Sequence, residues 1–126
     1  MTDQKLSLME MSTTFDVTPR TLRYYEYIEL LVPEKQGRKR FYGPAEKARL
    51  RLILRGRKFG FPLETIRQWL ELYDPENQNR TQLEKWIEMS DLQIAELESR
   101  KAELQEAIDQ MQTLQDGVRQ ELAKLD

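Results

Sequence analysis

The chain has no cysteine and no histidine among its 126 residues. The first absence excludes disulfides, thiolate metal sites and thiol redox sensing. The second removes imidazole ligands and the commonest general base. There is no glycine-rich phosphate loop either, so no convincing nucleophile and base can be paired, and the chain is read as neither an enzyme nor a cofactor carrier. Carboxylates alone could hold a metal at Glu96, Glu103 and Glu106, but these read more simply as the outer face of a coiled coil, and no metal site is assigned. No apolar run approaches membrane-spanning length, and Met1-Thr2-Asp3-Gln4 opens no signal peptide. The reading is a soluble, cytoplasmic protein with no membrane partner.

The charge is split along the chain. Residues 1–62 carry 13 Lys/Arg against 7 Asp/Glu, net +6, and residues 63–126 carry 7 against 15, net −8. Segment 35–58 has 10 basic residues and one acid, Glu46. A basic half beside an acidic half points to a polyanion partner for one part only. Two solvated helix faces would give the same numbers.

The run from Thr18 to Glu26 carries the most information. Thr18 is a good N-cap and Pro19 suits the first helical position. The helix that follows places Arg20, Arg23 and Tyr24 on one side, and Leu22 and Tyr25 can face a core. A preceding helix is predicted from about Ser7 to Phe15, with Leu8, Met11 and Phe15 inward and Asp16-Val17 as a tight connection. Helix, short turn and helix make a helix-turn-helix whose second helix can enter a DNA major groove.

Beyond Leu30-Leu31-Val32-Pro33, Gly37 sits at the tip of a predicted hairpin and is followed by Arg38, Lys39 and Arg40. Such a wing would aim cations at phosphates, with Phe41 packed inward. A helix opens at Gly43-Pro44 and stops at Gly60, with Ala48, Leu50, Leu52, Ile53 and Leu54 as its apolar side. Another is predicted from Leu63 to about Tyr73.

Thr81-Gln82-Leu83-Glu84 reads as a capping box for a last helix reaching about Lys124, roughly 65 Å long. Apolar residues recur along it at 4-3 spacing: Leu83, Ile87, Ile94, Leu97, Leu104, Ile108, Met111, Val118, Leu122 and Leu125. Only Ser90, Lys101 and Gln115 interrupt the seam. A narrow stripe over about six heptads predicts a dimeric coiled coil. A single amphipathic helix folded back on its own domain is the alternative. The heptads alone leave parallel and antiparallel pairing open.

These residues carry a resemblance. Val17 through Glu26, Ile28 with Leu30-Leu31, Arg40-Phe41-Tyr42, and Leu54-Arg55 through Phe59-Gly60-Phe61 are similar to the MerR family of bacterial transcriptional regulators, and the long final helix completes the pattern. The resemblance implies a mainly α fold: a winged helix-turn-helix domain over 1–75, then a linker and an antiparallel dimeric coiled coil over 76–126. It implies a homodimer on pseudo-palindromic double-stranded promoter DNA, distorting it for RNA polymerase. Carried over by position, Thr18, Arg20, Thr21, Arg23 and Tyr24 are groove and phosphate contacts. Arg38, Lys39, Arg40 and Tyr42 are wing contacts, and Arg55 and Lys58 are weaker candidates. Each has an alternative: Arg23 could pair with Glu26 or Asp16, Lys39 could be solvated, and Tyr25 is read as core.

The chain departs from the family pattern at Glu29, where glycine is usual, at Pro62, where Ser or Thr is usual, and in lacking the metal-sensing cysteines and any large effector domain. Trp69, Tyr73, Trp86 and Met89 could form an effector pocket, for an acyl-CoA or another small catabolic molecule, or could be packing alone. A chaperone-modulator-like interaction module on the same fold is the competing function; retention of Arg20, Arg23, Arg38, Lys39 and Arg40 argues against it.

Overall fold

The computed structural model describes residues 4–125. Met1, Thr2 and Asp3, where the sequence is read as opening no signal peptide, and Asp126 lie outside them. A two-residue strand, β1 (Leu6–Ser7), leads into α1 (Leu8–Phe15). Ser7 caps that helix rather than starting it. Its hydroxyl accepts the Glu10 N–H while the Glu10 carboxylate accepts the Ser7 N–H. These bonds from Ser7 hold the Glu10 carboxyl below its usual range.

Asp16, in the left-handed region at φ 54°, reverses the chain into α2 (Pro19–Tyr27). The Thr18 hydroxyl accepts the Thr21 N–H at 3.0 Å. At the far end the Leu30 N–H bonds the Tyr25 carbonyl and the Glu29 N–H bonds that of Glu26, a Schellman closure. Its left-handed residue is Glu29, at φ 63°.

The hairpin consists of β2 (Glu34–Gln36) and β3 (Lys39–Tyr42), with Gly37 at φ 65° in the turn. β3 is the central strand, because β1 pairs with its other edge and sets Leu6 opposite Tyr42. The inward residue is therefore Tyr42, with no exposed surface, while Phe41 is only partly covered. This reverses the alternation expected from sequence. Tyr42 belongs to the core cluster and its hydroxyl reaches Glu26 of α2, so the face of β3 turned to the helices is the one that carries Tyr42, and alternation turns Phe41 the other way.

α3 (Pro44–Lys58) buries Leu50, Ile53 and Gly56, leaving Ala48 outside the core. Its end is a second Schellman closure: the Gly60 N–H bonds the Arg57 carbonyl and the Phe61 N–H bonds that of Gly56, each at 3.0 Å. Gly60 sits at φ 93°. A Cβ on Gly56 would lie 2.8 Å from Ile66 Cδ1, so this glycine lets α3 approach α4 (Leu63–Leu70).

α4 is shorter than predicted. After Leu70 the chain tightens, the Leu72 and Tyr73 amides bonding carbonyls only three residues back. Tyr73 is left 66% exposed instead of facing the core. A 3₁₀ turn (Pro75–Asn77) and two left-handed residues, Gln78 and Asn79, lead into α5 (Arg80–Ala123). The predicted capping box at Thr81–Glu84 does not form. The helix has already begun at Arg80, and the Asn79 side chain accepts the Asp74 N–H instead of capping.

One core joins Met11, Leu22, Tyr25, Leu30, Leu31, Tyr42, Leu50, Ile53, Phe61, Ile66 and Leu70. Trp69, Trp86 and Met89 pack against it, so the first turns of α5 belong to this core. The remainder of α5, 44 residues and about 66 Å in all, extends into solvent.

Candidate nucleic-acid interface

Exposed cationic and hydroxyl groups are laid along one side of α2. Thr18 and Pro19 set the helix start, and burial of Leu22 and Tyr25 fixes its rotation. Arg20, Arg23 and Tyr24 then face solvent. Tyr27 extends the same stripe by one turn and is 84% exposed. Sequence reasoning missed it, although its spacing of seven from Arg20 is the signal that finds it. Among the described residues neither Arg20 nor Arg23 has an ion-pair partner. The Thr18 and Thr21 hydroxyls lie 2.9 Å apart. That pair uses one hydroxyl hydrogen and leaves the other free to donate to an anion.

The wing divides its cations. Arg38 and Lys39, at the turn, are exposed and unpaired among the described residues. Arg40 turns back, its Nε donating to Glu26 Oε1 at 2.7 Å. Tyr42 donates its hydroxyl to the other Glu26 oxygen at 2.5 Å. Tyr42 is therefore corrected from a wing contact to a core residue, since a side chain with no exposed surface cannot meet DNA. Glu26 serves Arg40 and Tyr42, not Arg23. Burial, reinforced by the Glu26 carboxylate, pushes the Tyr42 hydroxyl well above an ordinary phenol. The Glu26 bond likewise raises Arg40.

Much of the positive charge in 35–58 is structural. Arg49 Nε donates to the Leu30 carbonyl at 2.6 Å and Arg57 to that of Phe61 at 3.0 Å. The Arg51 guanidinium lies over the Phe15 ring, 5.4 Å from its centre. Lys47 bonds the Gln4 carbonyl. Lys58 is exposed at the end of α3, whereas Arg55 borders a cavity.

That cavity, about 210 Å³, lies between α3, α4 and α5. Three of the four predicted pocket residues, Trp69, Trp86 and Met89, line it with Leu52, Arg55, Gly56, Phe61, Ile66 and Leu83. Tyr73 does not reach it, because α4 ends before it. Trp86 sits 5.8 Å from Trp69 and 6.0 Å from Phe61, ring centre to ring centre. Trp69 Nε1 donates to the Gln82 carbonyl and Gln82 Nε2 returns a bond to the Trp69 carbonyl, at 3.0 and 3.1 Å. Gln93 Nε2 donates to the Phe59 carbonyl at 2.6 Å, tying α5 to the end of α3.

Along α5 the seam residues Leu83, Ile87, Ile94, Leu97, Leu104, Ile108, Met111, Val118 and Leu122 are all exposed, from 42% to 72%. The helix does not fold back to cover them. Glu96 pairs with Arg100 on the helix surface. Among the described residues no group of three acidic side chains is placed to hold a metal, and no helix is long and apolar enough to cross a membrane.

Two family profiles match the chain, one described as "MerR HTH family regulatory protein" over residues 6–73 and one as "MerR, DNA binding" over 47–114. The chain is 38% identical over 111 residues to the HTH-type transcriptional regulator ZntR of Escherichia coli K12, covering 86% of this chain and 77% of that protein. It is similar to a solved MerR-family transcriptional regulator from Bacillus cereus, with 27% identity, a TM-score of 0.53 and 79% of each chain covered. A further solved structure, described as "HiNmlR, a MerR family regulator lacking the sensor domain, bound to promoter DNA", aligns with a TM-score of 0.64 over 84% of this chain and 80% of that one. At 18% identity that likeness speaks for the fold alone.

Proposed function

The chain belongs to the MerR family of DNA-binding transcriptional regulators, and we propose that it acts as a homodimer astride a pseudo-palindromic promoter operator. Residues 1–75 bind the duplex and 76–126 join the two copies. In each half-site α2 lies in the major groove, with Arg20, Arg23, Tyr24 and Tyr27 toward base edges and phosphates. Thr18 and Thr21 contact phosphate at the helix start, and Arg38 and Lys39 hold the flanking backbone. The dimer bends and untwists the promoter so that RNA polymerase can engage it. Deformation of this kind costs several kcal/mol and is offset by backbone contacts on both sides.

The observation that carries this reading is the α2 stripe, two unpaired arginines and two exposed tyrosines beside the unpaired cations of the wing. The exposed seam of α5 supports the dimer. Nine apolar side chains at heptad spacing lie bare on one helix, which a second α5 in antiparallel pairing would cover. The cavity beside Trp86 supports a response to a small molecule.

The test is fluorescence anisotropy of the purified protein on its own upstream DNA, against a scrambled duplex, at several salt concentrations. A preference of about 10³-fold or more with a steep salt slope is the expected result. Equal, weak binding to upstream fragments and the scrambled duplex alike would overturn it.

A further inference from the structure

We propose that the cavity between α3, α4 and α5 binds a small apolar carboxylate, with Arg55 taking the carboxylate and Trp86 walling the apolar body. The proposal names the ligand class for the small-molecule response proposed above and rests on that reading for its regulatory meaning. Eight of the nine lining residues are apolar or glycine; Arg55 is the exception. Arg55 has no hydrogen bond or ion pair to another side chain among the described residues. The other polar groups nearby are already satisfied: the Trp69 indole N–H donates to the Gln82 backbone carbonyl, and the Gln82 side-chain amide to the Trp69 backbone carbonyl. No buried polar side-chain atom among the described residues is left without a partner. The cavity therefore offers dispersion and aromatic contact to the body of a ligand, and one cation to its polar end. A guanidinium with its donors free matches a carboxylate, which accepts two parallel N–H bonds.

Size narrows the class. A cavity of about 150 Å³ holds a benzene ring, so one of about 210 Å³ holds one ring, or one branched chain, with a short acidic arm. Drug-sized ligands occupy about 300–1,000 Å³. A whole acyl-CoA does not fit; only its acyl end would enter. Trp69, Trp86 and Phe61 stand tilted or edge-on to one another, with interplanar angles of 55° and 62°, leaving ring faces available to an inserted group.

The chain holds two tryptophans, and both line this cavity, so intrinsic fluorescence reports its occupancy directly. The probe is phenylacetate, titrated into the full chain without DNA, with phenethylamine and phenylacetamide as cationic and neutral controls. The expected result is a saturable change with phenylacetate alone. In Arg55→Gln the affinity falls by about tenfold or more, and Arg55→Lys retains part of it. Leu52→Phe fills the cavity from a partly exposed position and abolishes the signal without removing the cation. No saturable change, an equal response to the amine, or unchanged affinity in Arg55→Gln would overturn the proposal. Because no DNA is present, such a failure leaves the operator titration to judge the DNA-binding reading separately.

Discussion

Glu26, near the end of α2, and Arg40, on the wing, are joined by a hydrogen-bonded ion pair of 2.7 Å between Arg40 Nε and Glu26 Oε1. The second carboxylate oxygen accepts the buried Tyr42 hydroxyl. One side chain thus fixes the angle between the two elements that a DNA-binding winged helix presents to its operator.

Removing that carboxylate should cost stability. Glu26→Ala leaves the Tyr42 hydroxyl buried without an acceptor, and a loss of about 2–3 kcal/mol is expected in urea unfolding. Tyr42→Phe should cost about 1 kcal/mol, and Arg40→Ala less, because part of that side chain is in water. If Glu26→Ala and Tyr42→Phe unfold with wild-type midpoints, the pair holds nothing together.

The same tyrosine makes the fold sensitive to alkali. Burial, first of all, raises the hydroxyls of both Tyr25 and Tyr42 above the ordinary value of 10.0. The folded state therefore keeps its phenol protons where the unfolded chain gives them up. The stabilisation is complete below about pH 10 and is lost as pH climbs from there toward the folded values. Melting temperature should fall steeply above about pH 10, and Tyr42→Phe should flatten the fall. A wild-type profile as flat as the variant's would contradict the linkage.

On the recognition stripe, Arg23→Ala should weaken operator binding by about 1–3 kcal/mol and relax preference at one base position. Tyr27→Ala should weaken it with no change in thermal stability, the ring being almost wholly in solvent. Lys39→Ala should lower affinity for operator and scrambled duplex alike and reduce the salt slope by about one unit. Anisotropy on matched duplexes separates the three, and full affinity in both Arg23→Ala and Tyr27→Ala would remove α2 from the interface.

Leu104→Asp places a charge in the middle of the α5 seam. Light scattering should then report a monomer, with operator affinity lost at the same time. A variant that stays dimeric would move the interface elsewhere; a monomer that binds operator tightly would make dimerisation irrelevant to recognition.

Glu29→Gly should stabilise the protein by about 0.5–1 kcal/mol. The residue closes α2 at φ 63°, a conformation that costs a side chain about 1 kcal/mol and glycine almost nothing. Thermal melts of the two proteins decide it; a less stable glycine variant would mean that the Glu29 side chain contributes more than its backbone costs.

The helices were largely legible because their signals are local. Thr18 with Pro19 marks a start, Gly60 marks a stop, and Leu22 with Tyr25 sets a buried face within one turn. Glu29 stood out only through the family resemblance, which has glycine at that turn; its left-handed backbone is a finding of the structure. Errors fell where a local signal competed with a distant partner. Thr81 and Glu84 have capping-box spacing, yet Asn79 is drawn back to Asp74 and the helix starts two residues early. Tyr73 continues an apolar period, yet the chain tightens before it.

The candidate site was legible in its stripe and not in its wing. Arg20, Arg23 and Tyr24 follow from helical spacing. Tyr42 and Arg40 could not be assigned from the hairpin, because the partner that holds both side chains inward is Glu26, fourteen residues upstream of Arg40. Likewise, net positive charge over 35–58 says nothing of which arginines are free. Arg49 and Arg57 are spent on carbonyls that only the folded chain brings near.

Periodicity, caps and composition act between residues a few positions apart, and they were enough to establish a helix-turn-helix, a wing, a long heptad helix and the exclusion of thiol and imidazole chemistry. Which strand face is buried, which cations remain free, and that Arg55 stands at the mouth of an aromatic cavity with both tryptophans inside it depend on contacts between segments remote in sequence. Those contacts are selected by close packing of the whole core, and no local pattern encodes them.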